Sequence, residues 1–287
     1  MRPNLKSGSP IEIAKLDRRS ERTVEEMAAI WNQACGADLS ISAQLVAYNL
    51  RPNSGGHQAG WLAIEADQIV GFALASRIDA HPSVMPPNIG WIDALAVDPD
   101  YQRQGIGHAL LSKLEAWLID QGCDYTQLGG SLRPFAPGLP VELHNDQFFR
   151  KAGYQMRAGD SGIWDVAANL AEYQPPMELI EAPCAVRPAH PGQELDLMAY
   201  LEREFPGRWH YSCGEFLAEC GRISDFMLLW TETGINGFCQ LTFEDSARPL
   251  ERFYPYQLPR PWGQLGAIGV SEHLRGQGFG SALLDAG

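Results

Sequence analysis

Two short segments hold the residues whose types and spacing best suit chemistry: Gln102-Arg-Gln-Gly-Ile-Gly107 and Arg275-Gly-Gln-Gly-Phe-Gly280. Each follows an apolar run, ending at Val97 or Val270, and opens an amphipathic one. A glycine-bearing turn at a helix N-terminus aims several backbone N–H groups at one spot, and the helix dipole adds partial positive charge there. Gly105 and Gly107 lack the side chains that would hold an anion away. The ligand that fits is a phosphate or pyrophosphate. A turn that needs glycine for geometry alone is the other reading, and the occurrence of two copies weighs against it. Other nucleotide loops do not match. The third glycine of the dinucleotide fingerprint is replaced by Leu110 and Leu283. Neither segment has the Gly-Lys-Ser/Thr of a phosphate-binding P-loop, and the sequence has no Gly-x-Ser-x-Gly elbow.

A carboxylate precedes the first segment. In a strand Trp91–Val97 the side chains alternate, so Asp93, Leu95 and Val97 are expected on one face. The elements that must position these groups follow from periodicity. Helices are expected over Glu21–Cys35, Leu39–Leu50, Gln104–Gln121 and Leu143–Lys151. Trp61–Glu65 and Ile69–Ala75 read as a hairpin turning near Asp67, after a turn-rich loop over Arg51–Gly60. Tyr125–Leu128 reads as a strand, and another is expected toward Val166.

The pattern then restarts. Residues 97–111 and 270–284 agree at seven of 15 positions, and the short strands near Ile13 and Val186 stand at the same offset. We read two copies of one fold: a tail over 1–10, a first domain over 11–173, a proline-bearing linker over 174–183 and a second domain over 184–287. Strands are expected at Ala185–Arg187, Phe226–Thr231 and Ile235–Phe243, with a helix near Glu194–Phe205. At this offset residues 115–168 of the first copy have no counterpart, so the second copy is expected to be incomplete.

With strand, loop and helix in place, the segments resemble the Gln/Arg-x-x-Gly-x-Gly/Ala motif of the GNAT superfamily of acyl-CoA-dependent N-acetyltransferases. Phe148-Phe-Arg-Lys-Ala-Gly-Tyr154 resembles the family's later Phe-Tyr-x-x-x-Gly-Phe segment. The tandem arrangement is similar to that of members such as mycothiol synthase. The resemblance implies an α+β fold: two domains, each with a V-shaped mixed sheet flanked by helices. It implies acetyl-CoA as cosubstrate, with the pyrophosphate held around Gln102, Arg103, Gln104, Gly105, Ile106, Gly107 and His108. Leu95, Ala96 and Val97 would pair with the pantetheine amides as an added strand does. Ile268, Val270, Arg275, Gly276, Gln277, Gly278, Phe279 and Gly280 are their counterparts. A second copy lacking one wall of the slot would hold coenzyme A poorly.

Acetyl transfer needs a base to free the amine, and in many members a carboxylate near the Asp93 position serves; a solvated or helix-capping aspartate is the alternative. The second copy has Gly266 there. The family's usual acid is a tyrosine at the position of Phe149, which has no proton to give. His144 and Tyr154 read as a surface or capping residue and a core residue. Trp209 and Tyr211 are either an acceptor wall or core. His210, Cys213 and Cys220 lack a second ligand pair at zinc spacing.

Composition bounds the rest. With 22 basic and 35 acidic residues, no basic patch for nucleic acid is visible, and the acidity is compatible with a cationic amine. Six cysteines in 287 residues do not make a disulfide scaffold, and no run reaches the ~20 apolar residues of a membrane span. The first ten residues lack a signal peptide's apolar core, so a reducing cytoplasm is the expectation. The sequence therefore predicts an N-acetyltransferase acting on a small-molecule primary amine in a ternary complex, without metal, and with homodimerisation open. Catalysis confined to a complete second domain, or an acyl-CoA-binding sensor without turnover, are the alternatives.

Overall fold

The computed structural model describes residues 10–17, 20–51, 54–79, 83–156, 166–180, 184–248 and 261–287. The tail over 1–9, the strand expected just before Val166 and the end of the linker lie outside the described residues. The chain forms two compact units. The first contains β1 (Glu12–Lys15), α1 (Glu21–Cys35), α2 (Ala43–Asn49), β2 (Gly56–Glu65), β3 (Gln68–Ile78), β4 (Ile89–Val97), α3 (Ile106–Asp120), β5 (Tyr125–Leu128) and α4 (Asp146–Lys151). The second contains α5 (Met177–Ile180), β6 (Ala185–Pro188), α6 (Glu194–Glu204), α7 (Arg208–Ala218), β7 (Phe226–Thr231), β8 (Gly234–Thr242), β9 (Gln264–Val270) and α8 (Phe279–Ala286). No described helix is long and apolar enough to cross a membrane.

In the first unit the strands lie in chain order, antiparallel except for the parallel pair β4–β5. Alternation, interrupted by a bulge at Val70, sorts their side chains. Phe72 and Leu74 join Met27 and Trp31 of α1 and Leu45 of α2 on one face. Val70, Ala73 and Ala75 join Leu110, Leu114 and Leu118 of α3 on the other. The β4–β5 pairing covers only Ile89–Ile92 against Tyr125–Leu128. Beyond it Ala94–Val97 have no strand on that side among the described residues, which is the opening of the V.

The second unit repeats the plan with four strands, β6 to β9, all antiparallel. Leu197 and Leu201 of α6 and Cys213 and Phe216 of α7 cover one face, and Leu283 of α8 packs on the other.

Three expectations are corrected. The helix expected over Leu39–Leu50 starts only at Ala43, because α1 uses the preceding backbone: Trp31 Nε1 donates to Leu39 O at 2.7 Å, and Asn32 bonds both Ile41 N and Ile41 O. Ser42 then caps α2, accepting from Leu45 N at 3.1 Å. The loop expected over Arg51–Gly60 is strand from Gly56, paired through Gly56↔Ile78 and Gly60↔Leu74. The helix expected from Leu143 begins at Asp146, because His144 sits in a left-handed turn with φ 46°.

Candidate functional site

The first unit's loop leaves β4 through Asp98, whose N–H donates to Val70 O at 2.9 Å and whose carboxylate accepts from Asp100 N at 2.9 Å. Gln102 Nε2 returns to Val97 O at 3.0 Å. Arg103 (φ 62°) and Gly105 (φ 90°) both take left-handed conformations, and α3 starts at the next residue. Its first helical bond runs from Ala109 N to Gly105 O at 3.0 Å. The amides of Ile106, Gly107 and His108 therefore have no helical acceptor. They point out of a helix N-terminus beside exposed Gln102, Arg103 and Gln104. A Cβ added at Gly105 would meet nothing within 4 Å, so the space over the loop is open. This arrangement fits a diphosphate. Gly107 acts differently from the sequence reading. A Cβ there would lie 3.4 Å from the Phe148 ring and 4.0 Å from Val97, so a larger residue would press on β4 and α4.

The second unit reproduces the loop at the expected offset. Gly276 (φ 74°) stands for Arg103 and Gly278 (φ 87°) for Gly105, and α8 starts at Phe279. Gln277 Nε2 donates to His273 O at 2.8 Å, as Gln104 Nε2 does to Asp100 O at 3.4 Å. Val270 is buried at the end of β9 and Ile268 half-buried within it, while Arg275 and Gln277 lie beside the helix start. Arg103 carries a strain that its counterpart avoids, since a non-glycine residue in this region costs about 1 kcal/mol. Arg103→Gly should therefore raise the first unit's melting temperature by a few degrees, and scanning calorimetry checks it.

Asp93 sits where the V opens. The β3–β4 register runs Leu74↔Ala94 and then Ala75↔Ile92, so Asp93 is an extra residue in a β-bulge. The bulge breaks the alternation and corrects the expectation that Asp93 shares a face with Leu95 and Val97. Those two pack on the α3 side, whereas Asp93 lines a cavity with Gln58, Ser76 and Arg133. The same bulge recurs in β9, where Cys239↔Ile268 is followed by Leu241↔Leu265, and Gly266 takes the Asp93 position without a carboxylate.

The Asp93 side chain is 4 % exposed. Burial pushes its pKa up to about 7, against the opposing effect of hydrogen bonds from Ser131, Ser76 and Gln58. Ser76 Oγ donates to its Oδ1 at 3.0 Å. A loop over 129–138 backs this wall. Phe135 N donates to Asp93 O at 3.0 Å, and Arg133 Nη1 donates to Tyr48 O and Arg51 O at 3.1 and 2.8 Å. The Arg133 guanidinium also stands 4.6 Å over the Tyr48 ring. Gly129 allows the loop to double back, since a Cβ there would lie 2.6 Å from Ala136 O. Sequence reading missed Gln58, Ser76, Ser131 and Arg133, which come from three separate segments. The cavity is about 20 Å³, room for about one water molecule.

Among the described residues no tyrosine takes the acid's place. Phe149 is buried, stacked edge-on at 4.9 Å from Phe148 and 5.7 Å from Tyr154. Tyr154 donates to Glu115 Oε1 at 3.1 Å, and burial drives its pKa up. His144 lies in the turn before α4 rather than on the helix. Phe149→Tyr should bury a hydroxyl among rings, costing about 1–3 kcal/mol of stability without raising any rate; chemical denaturation reads the loss. In the second unit Trp209 packs 5.0 Å from Phe205 and 5.7 Å from Phe238, as part of an aromatic cluster at 36 % exposure. Among the described residues no three His, Cys, Asp or Glu side chains group to hold a metal ion.

Comparison with known proteins fits this geometry. Residues 23–132 match the acetyltransferase (GNAT) family. Aminoglycoside N(6′)-acetyltransferase type 1 of Stenotrophomonas maltophilia is 37 % identical over 67 residues, 23 % of this chain and 44 % of that protein. The chain thus spans less than half of that relative. A glucosamine N-acetyltransferase region of a fungal multidomain β-N-acetylglucosaminidase superposes with a TM-score of 0.79 at 21 % identity. That match takes in 97 % of this chain and 33 % of the fungal one. A tandem GNAT protein from the clavulanic acid biosynthesis pathway superposes with a TM-score of 0.64 at 14 % identity, over 96 % of this chain and 84 % of that one.

Proposed function

We propose, for a chain that carries a GNAT acetyltransferase domain within a tandem GNAT fold, that its first unit transfers an acetyl group from acetyl-CoA to a primary amine of a small molecule. The observation that carries the proposal is the pairing of an open amide-lined helix start with a buried carboxylate at the bulge of the same strand. Residues 11–173 and 184–287 are taken as the two GNAT-like domains, joined by 174–183.

Acetyl-CoA supplies the acyl group as a thioester. The loop from Gln102 to His108 holds its diphosphate on backbone amides, and the free edge of Leu95, Ala96 and Val97 receives the pantetheine amides. The second unit's loop, with Ile268, Val270 and Arg275–Gly280, repeats that cradle. Asp93 removes the proton from the incoming ammonium. A pKa near 7 suits this step, because a group of that strength is about half ionised at neutral pH and still basic enough to take a proton. The departing thiolate leaves without help from Phe149. The likeness to an aminoglycoside N-acetyltransferase supports N-acetyl transfer to a small-molecule amine as the reaction class and leaves the charge of the acceptor open.

The test is thiol release from acetyl-CoA with a panel of amines, with the N-acetyl product read by mass spectrometry. Product from at least one amine is expected. Tight acetyl-CoA binding with no product from any amine would favour a binding role without turnover, a reading that the Phe149 position also supports.

A further inference from the structure

The cavity beside Asp93 is walled by charge opposite in sign to the protein as a whole, and we infer that the acceptor is a primary amine that also carries an anionic group, a carboxylate or a phosphate. The inference rests on the N-acetyltransferase reading of the first unit. Arg51, Arg77, Arg133 and His57 line the same cavity as Asp93. Asp79 answers part of that charge, through an ion pair with Arg77 and a 2.8 Å contact to His57 Nε2. Among the described residues three guanidinium groups and two carboxylates stand at this wall, in a chain whose formal charge is −13.

Among the described residues no ion pair joins these cations to Asp93. Arg77 donates from Nη1 to Gln121 O at 2.7 Å, while its buried Nε has no partner. Arg51 is exposed at the rim and makes no ion pair among the described residues. The floor has room for about one water molecule, which suits an amino group beside Asp93 and leaves the rest of the acceptor at the rim. A polyamine would bring further positive charge to this wall. An amine bearing a carboxylate or phosphate instead offers the doubly accepting partner that the planar guanidinium group binds best.

The test is equilibrium binding to the coenzyme A-saturated full chain by calorimetry, with serine against serinamide, glucosamine 6-phosphate against glucosamine, and spermidine as the polycation. In at least one pair the member bearing the carboxylate or phosphate should bind about tenfold or more tightly than its partner without that group. The pair that shows the preference identifies carboxylate or phosphate. Arg51→Gln should bring that ratio toward one, and spermidine should bind most weakly. Equal affinities within both pairs, tighter binding of spermidine, no binding by either pair, or a ratio unchanged in Arg51→Gln would overturn the inference. Turnover is scored separately. Preferential binding of the anionic member with no acetylation would overturn the enzymatic reading and leave the acceptor class standing.

Discussion

Asp93→Asn should slow acetyl transfer by about 10²–10⁴-fold and at the same time raise the first unit's melting temperature at pH 8. The rate loss follows from replacing a base by a nearly isosteric amide. The stability gain follows from linkage. The folded pKa of about 7 lies above the ordinary 3.8 of an unfolded aspartate. The folded state therefore binds the proton more tightly, and the stability this provides is complete below pH 3.8 and lost as pH rises to about 7. Above that, the buried carboxylate costs at most about 4 kcal/mol. Asparagine does not titrate, so the variant's advantage should grow between pH 4 and pH 8. Melting curves across that range read it. A variant that melts below the parent at pH 8 would show that Asp93 supports the fold rather than straining it.

That trade was not visible in the sequence, and the reason is local. The repeat and the glycine loops are short-range features, and the left-handed turns at Gly105 and Gly278 fall within them. The face of Asp93 depends on one extra residue in β4, set by how β3 and the 129–138 loop pair with it, and strict alternation cannot register that. The early start of β2 was hidden by Gly56 and Gly60, which read as turn residues. Gly60 is there because a Cβ would lie 2.6 Å from Leu74 and 2.7 Å from Leu16. The late start of α2 was hidden because its cause lies eight to nine residues upstream, in Trp31 and Asn32. The charged wall combines residues from β2, β3 and the loops after α2 and β5, and only the fold brings them to one cavity.

Gly105→Val should reduce acetyl-CoA affinity by at least about tenfold. The residue holds φ 90° and ψ −8°, a conformation that a β-branched side chain adopts only at a cost of about 1–3 kcal/mol. The loop would relax toward another path, and the amides of Ile106, Gly107 and His108 would no longer converge. Gly278→Val applies the same strain in the second unit, at φ 87°, and serves as the internal comparison. Calorimetric titration of the two variants assigns each cradle separately. Undiminished affinity in Gly105→Val would remove the diphosphate from the first unit's loop.

The pH dependence of kcat/KM for the first amine found to be acetylated tests the central claim most directly. The parent should gain activity with rising pH through an apparent pKa near 7, the value set by burial of Asp93 in the free enzyme. In Asp93→Asn that acid limb should vanish while a slow residual rate remains. An acid limb that persists unchanged in the variant would contradict the assignment of Asp93 as the base.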